Sequence, residues 1–365
     1  MKIPYLVGLG VIVTMSVVVL VYDALIRPNH TNAVSHDRHQ HNEYHHLEKT
    51  QLTIKDGHSS SNIEHNNALS QHRITPIPTN LIVNQPLAKV GWMLFKDRNL
   101  SSNLSISCES CHHLQTNGAE VIPISIGVNG AGMRNSLTVF NTAYNYRFFW
   151  DGRVNTLNSQ IDGPVHNTAE MDSNWALITN YVSQSEQYEL LFSELGLEIN
   201  EQSIKLSLVE FMNALTTPNS PFDRYLKGDE NAIGENAKQG WQTFQDEGCI
   251  RCHQGTNIGG GMVMRFGYFG LTKTGQERSH DQGRYMFTGK EIDRHLFRVA
   301  SLRNVAITAP YFHDGQTDSL DEAIKIMGES QLGKTFEDET IAQLKSFLET
   351  LTGQRPHILE VFENE

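Results

Sequence analysis

Four stripes of apolar residues at helical spacing, separated by long stretches without a period, outline this 365-residue chain. Leu87, Val90 and Leu94 share one face after Pro76, Pro78 and Pro86, so order is expected to begin near Ile77. Ile204, Leu208, Phe211 and Leu215 stand at i, i+4, i+7 and i+11, a buried stripe that Pro218 and Pro221 bring to an end. Ala237, Trp241 and Phe244 mark a third helix. Ile341, Leu344, Phe347 or Leu348, and Leu351 mark a fourth, with Gly353 as its expected stop. No stretch alternates convincingly with period two. The expected fold class is therefore all-α, with long irregular loops between the helices.

Two of these stripes run into the same short motif. The first leads to Cys108-Glu109-Ser110-Cys111-His112, and the third to Cys249-Ile250-Arg251-Cys252-His253, about 140 residues on. C-x-x-C-H is the attachment sequence of a c-type haem: the thiols take the vinyl groups and the histidine becomes the proximal iron ligand. One copy alone could be a redox pair. Two copies that consume all four cysteines of the chain point to two covalently bound haems c and leave no disulfide. The repeated order of helix, then motif, implies two cytochrome c-type haem domains, 77–228 and 229–365. Long loops would be suspicious in an ordinary domain, but here a porphyrin supplies the core they pack on.

Residues 1–27 and 28–76 read differently. From Ile3 to Tyr22 there is no charge over 20 residues, which is long enough to span a bilayer, and no A-x-A-like cleavage site follows. The expectation is an uncleaved membrane anchor rather than a cleaved signal peptide, running N-in and C-out, because haem is attached to c-type cytochromes outside the cytoplasm. The expected location is periplasmic, held to the inner membrane. The segment 28–76 is polar and holds nine of the 17 histidines, among them His36, His39, His41, His45 and His46; it reads as a flexible tether with at most a weak, adventitious Zn or Cu site. A net charge of -12 excludes nucleic acid as a natural partner and would steer a small basic redox protein towards the surface.

The residues around the motifs carry a resemblance. Leu94-Phe95-Lys96-Asp97-Arg98-Asn99-Leu100-Ser101, Ser125-Ile126-Gly127, Arg134-Asn135-Ser136, Phe149-Trp150-Asp151-Gly152-Arg153 and Gly163-Pro164 to Glu170-Met171 precede Gly255-Thr256-Asn257, Leu302-Arg303-Asn304-Val305 and Ala309-Pro310-Tyr311-Phe312-His313-Asp314-Gly315. In order and spacing, from roughly Pro86 to Gly353, this resembles the bacterial dihaem cytochrome c peroxidase family. The resemblance implies that hydrogen peroxide is reduced to water at the haem on Cys108, Cys111 and His112. Electrons would arrive through the haem on Cys249, Cys252 and His253. It implies Met327 as second iron ligand of the latter, Glu170 as acid–base catalyst, Gln160 as a positioning amide, and Trp150 between the haems. It further implies a calcium ion held between the domains by Asn135, Thr308 and Pro310, a small cytochrome c or cupredoxin as donor, and a possible homodimer.

At one position the pattern breaks. Many family members carry a histidine after S-I-G that blocks the peroxidatic iron until the other haem is reduced. This chain has Val128 there, in the glycine-rich run Val128-Asn129-Gly130-Ala131-Gly132-Met133, so reductive activation is not expected. His166 is the nearest other candidate for a distal role, and His113 adjoins the proximal ligand. Two other functions fit less well. One is a protein-oxidising relative of the dihaem enzyme that matures methylamine dehydrogenase, against which Met327 speaks because tyrosine is the ligand there. The other is a non-enzymatic dihaem carrier, in which Glu170 and Gln160 would have no purpose.

Overall fold

The chain folds around two copies of one packing unit, each a pair of helices crossing at a glycine. In the computed structural model, residues 74–270 and 280–365 are described, all of them within one compact unit, 63–365. The expected anchor (Ile3 to Tyr22) and nearly all of the tether (28–76) lie outside these residues. Among the described residues no helix is long and apolar enough to cross a membrane.

In the first copy, α1 (Gln85–Lys96) starts at Asn84, whose side chain accepts from the Leu87 N–H at 3.2 Å, with Pro86 in its first turn. It buries Leu87, Val90, Gly91, Leu94 and Phe95. Three short α-helices separate it from the helix it crosses: α2 (Leu157–His166), α3 (Trp175–Ser183) and α4 (Glu186–Glu194). The partner α5 (Glu201–Ala214) is opened by an Asn200 and Ser203 capping box. At the crossing, a methyl group on Gly91 would lie 1.9 Å from the Ser207 carbonyl oxygen. Only glycine permits that approach.

The second copy repeats it. After the short α6 (Pro221–Leu226), α7 (Glu235–Asp246) leads into the second motif, and α8 (Tyr285–Thr288) and α9 (Leu320–Met327) follow. The helix that α7 crosses is α10 (Asp338–Glu349), and a Gly240 methyl would lie 1.9 Å from the Gln343 carbonyl oxygen. The four apolar stripes read from the sequence sit on these crossing helices, with Leu215 and Leu351 just past their ends, and are buried, except that Trp241 is half-buried against the second cluster. Helix α10 ends at Glu349, before Gly353; that glycine instead lets the chain pass 1.9 Å, measured to a hypothetical methyl, from the Thr217 carbonyl oxygen.

Two short antiparallel pairs interrupt the helical architecture: β1 (Ile126–Gly127) with β2 (Gly130–Ala131), and β3 (Val263–Arg265) with β4 (Leu296–Arg298). A last helix, α11 (His357–Asn364), has no counterpart in the sequence reading, which assigned these residues to the second domain. It lies in the first apolar cluster through Ile358, Leu359 and Phe362, with Phe362 5.7 Å from Trp92. The opposite end makes the reciprocal crossing: Ile74 packs on the second cluster, and the Ile77 N–H donates to Asp223 at 3.1 Å. Each end of the described residues therefore packs on the apolar cluster that the other half of the sequence mainly builds.

Candidate functional site

Both C-x-x-C-H motifs form a single tight turn, in which the histidine N–H donates to the first cysteine's carbonyl at 3.0 Å (His112 to Cys108, His253 to Cys249). The preceding helix supports each imidazole with a phenylalanine: Phe95 lies 6.4 Å from His112, and Phe244 lies 6.3 Å from His253. Burial pushes both imidazoles down to about 4, against the opposing pull of nearby backbone carbonyls. They are neutral at physiological pH, the state in which imidazole binds a metal. Burial also pushes Cys108 and Cys111 up to about 12 and Cys249 up to about 11. A reactive C-x-x-C pair has its thiol lowered, not raised, so the thiol–disulfide alternative does not fit these cysteines.

The first motif opens on a cavity of about 530 Å³ whose walls are mainly apolar, including Phe95, Leu137, Val139, Phe149, Leu157 and Ile161. Cys108, Cys111 and His112 line it, and so do Glu170, Gln160, Trp150 and Asn135. A prosthetic group with a large apolar ring, two thioether links and one axial imidazole fits this donor set and this volume. Met327, Thr308 and Pro310 do not line this cavity.

Glu170 reaches the cavity from the loop after α2. Its Oε1 accepts from the Asn167 amide at 2.6 Å, and its Oε2 has no hydrogen-bond partner among the described residues. Burial raises its pKa, opposed by the Asn167 hydrogen bond and by the charge of Arg153. The β1–β2 hairpin clamps the same segment. The Val128 N–H donates to the Glu170 carbonyl at 2.8 Å, and a methyl on Gly127 would lie 2.1 Å from the Ala169 carbonyl. Asn129 adds hydrogen bonds to the Thr168 carbonyl and to Asp172, so the glycine-rich loop is fastened to the residue it adjoins. Val128 itself does not line the cavity, and His166 is exposed and outside it; His112 is the single histidine in the lining among the described residues.

Trp150 bridges the halves. Its indole N–H donates to the Asn135 carbonyl at 2.8 Å, and its ring meets His313 edge-on at 6.3 Å. His313, in turn, stacks on Phe297 of β4 at 4.2 Å. The turn that carries Trp150 is held by charge: Asp151 takes Arg134 at 2.7 Å and Arg153 at 2.6 Å, and Arg153 lies 3.5 Å above the Phe149 ring. Sequence reasoning named Arg153 only within the run from Phe149 and gave it no role, and it missed Asn167 and Arg298; all three line this cavity. Arg298 alone had a legible signal, a lone arginine inside the apolar run Leu296-Phe297-Arg298-Val299.

At the second motif, Met327 closes α9, half-buried and outside the apolar cluster that takes Leu320, Ala323 and Ile324 from the same helix. Asn135 turns its amide nitrogen to the carbonyls of Ile122 and Pro123, at 3.2 Å each, and leaves its Oδ1 without a donor among the described residues.

A family model described as di-haem cytochrome c peroxidase matches residues 85–231. Cytochrome c551 peroxidase of Pseudomonas aeruginosa is 38% identical over 294 residues, covering 78% of this chain and 85% of the relative. The methylamine utilization protein MauG of Methylorubrum extorquens is more distant, at 30% over 282 residues, 73% of this chain and 78% of the relative. Among solved structures, a MauG-like protein associated with microbial copper homeostasis is similar with a TM-score of 0.66 and 25% identity, covering 77% of this chain and 94% of that one.

Proposed function

Since the chain belongs to the di-haem cytochrome c peroxidase family, we propose that it reduces hydrogen peroxide to water at the haem of the first motif, using electrons that enter through the second. The observation that carries this reading is the single cavity shared by Cys108, Cys111, His112, Glu170, Gln160 and Trp150. When bound, the haem supplies an iron that takes a peroxide oxygen and passes electrons to it.

The chain's own residues supply the proton chemistry. Peroxide must lose a proton from one oxygen and regain it on the other before water can leave. Glu170 does both, through the Oε2 that Asn167 leaves free. Its raised pKa makes it a stronger base than an exposed carboxylate and a competent acid once protonated. Gln160 orients the substrate by hydrogen bonding. Trp150, in contact with His313, offers a path for electrons from the second half to the first.

In the same reading, the peroxidatic part is 77–228 and the electron-accepting part 229–365. Met327 would be the second iron ligand of the latter, in keeping with its place outside the apolar cluster, and a methionine ligand would raise the potential so that the haem accepts electrons readily. A calcium ion would be held by Asn135 Oδ1 and the carbonyls of Thr308 and Pro310, oxygen donors suited to a hard cation. The donor is a small cytochrome c or a copper protein of the periplasm. With Val128 at the blocking position, the oxidised enzyme needs no reductive activation. Steady-state turnover with a reduced small cytochrome c tests the function: donor oxidation that requires both peroxide and the protein is expected. Oxidation of the donor without peroxide consumption would return the chain to the carrier reading.

A further inference from the structure

Three arginine or lysine side chains are buried among the described residues: Lys205, Arg303 and Arg298. Lys205 meets Asp162 at 2.7 Å, and Arg303 meets Asp223 at 2.7 Å. Arg298 has no carboxylate partner among the described residues. Its Nε donates to the Phe149 carbonyl at 3.2 Å, its backbone N–H donates to the Trp150 carbonyl at 2.6 Å, and one terminal nitrogen is buried with no hydrogen-bond partner among the described residues. Burial alone pulls the guanidinium down to about 10, with no anion opposing it.

A buried charge without a counter-charge is strongly unfavourable, so natural proteins pair such groups or place them on a ligand. Neither protein carboxylate of this cavity serves Arg298. Asp151 is held by Arg134 and Arg153, and Glu170, whose Oε1 accepts from Asn167, makes no ion pair with Arg298 among the described residues. Arg298 lines the same cavity as Cys108, Cys111 and His112, although it comes from β4 in the second half. A haem fixed to those cysteines by its vinyl edge brings two propionate carboxylates on its other edge. We propose that Arg298 pairs with a propionate of the haem on Cys108 and Cys111, so that the second half grips the first haem through the cofactor's own charge. Arg298 is then an anchoring residue: its guanidinium fork offers two parallel donors to a carboxylate while Nε holds the Phe149 carbonyl.

The proposal rests on the reading that the first motif carries haem, which fails separately if the holoprotein contains fewer than two covalent haems. The test is a spectroelectrochemical titration of both haems in the holoprotein, for the wild type and for R298Q, R298M and R298K. Removing the cation leaves a bare carboxylate near the iron and favours the ferric state. In R298Q and R298M the reduction equilibrium of the first haem should fall at least tenfold, which is 59 mV for one electron, while the second haem stays within twofold. R298M keeps the apolar stem, so that one neutral variant can be read if the other does not fold. R298K keeps the charge and should return the first haem to within threefold of the wild type. An unmoved first haem in the neutral variants, or a shift confined to the second haem, would overturn the proposal. So would an R298K value as low as that of R298Q, because the effect would then be one of packing.

Discussion

Replacing Glu170 by glutamine separates the chemistry of the site from its architecture. Glutamine has the same shape, and its Oε1 can still accept from the Asn167 amide, now 2.6 Å from the carboxylate. What it cannot do is take up a proton and return it. A positioned acid–base group contributes roughly 10²–10⁴ in rate, and a hundredfold loss corresponds to about 2.7 kcal/mol of barrier. The effect on stability has the opposite sign. The folded protein raises the pKa of this carboxyl, mainly by burial, so the folded state holds the proton more tightly than the unfolded state does. The ionised form therefore costs stability above the raised pKa, and the cost disappears as the pH falls through the folded pKa towards the unfolded one. At neutral pH the uncharged amide should leave Tm unchanged or raise it. Steady-state peroxide reduction with a reduced small cytochrome c should show kcat down at least a hundredfold. The acid limb of the wild-type pH profile, placed above the ordinary carboxylate range, should be absent from the variant. A kcat within threefold of the wild type, or a loss that comes with a lowered Tm, would refute the reasoning.

Other consequences follow from single positions. With Val128 outside the cavity and His112 its only histidine among the described residues, the oxidised protein should show a high-spin signal in electron paramagnetic resonance and react with peroxide without a pre-reduction lag; two low-spin haems would sink this. Met327→His should keep the fold, lower the potential of the second haem and slow donor oxidation, whereas an unchanged potential and an unchanged methionine-to-iron absorption would remove Met327 from the ligand set. Gly240→Ala adds a methyl 1.9 Å from the Gln343 carbonyl, and overpacking of about 1–3 kcal/mol or more should exceed the roughly 1 kcal/mol gained in helix propensity. Thermal unfolding of that variant should therefore begin earlier, and a raised Tm would show that α7 and α10 can part without loss.

The helices that carry the two motifs were legible because their apolar residues recur with the period of the helix and their burial follows from it. Leu87, Val90, Leu94, Ile204, Leu208 and Phe211 are buried for that reason. Helix α11 was not legible. Its eight residues include Glu360 and Glu363, and its apolar face of Ile358, Leu359 and Phe362 is completed by the first apolar cluster, Trp92 included, from residues far away in the sequence. The site divides in the same way. The cysteines and histidines announce themselves by spacing, but the grip on Glu170 comes from Asn167 and from backbone groups of Gly127 and Val128, which no side-chain motif encodes. Gly353 shows the reverse case, a residue read for one purpose and used for another: it looked like a helix stop, yet it is needed where two chain segments nearly touch.

The repeat seen in the sequence has a geometric meaning that spacing alone does not reveal. Asn141 and Asn304 share φ of 63°, and each donates its N–H to the residue just beyond a crossing helix, Leu215 at 2.7 Å and Leu351 at 3.2 Å. Phe149 and Phe312 share a left-handed backbone, at 63° and 68°, inside turns closed by Phe148 with Val154 and by Tyr311 with Thr317. Corresponding residues of the two halves then meet. Asn141 and Asn304 both donate a side-chain N–H to the hydroxyl of Thr217, Gly353 lies against the Thr217 carbonyl, and Trp150 touches His313, which holds the same place in the second turn. Equivalent positions can touch only near an axis that exchanges the halves, so these contacts place the junction on an approximate two-fold. The symmetry is broken where chemistry demands it. On the first side the residue between Phe149 and Asp151 is an indole that lines the cavity with Glu170; on the second it is an imidazole packed between Phe297 and Phe266. One packing unit, used twice, thus sets an indole at the cavity on one side of the axis and an imidazole between two phenylalanines on the other. A hydrogen-bonded link crosses the halves at this junction, from the Trp150 indole N–H to the Asn135 carbonyl and from the Asn135 backbone N–H to the His313 carbonyl.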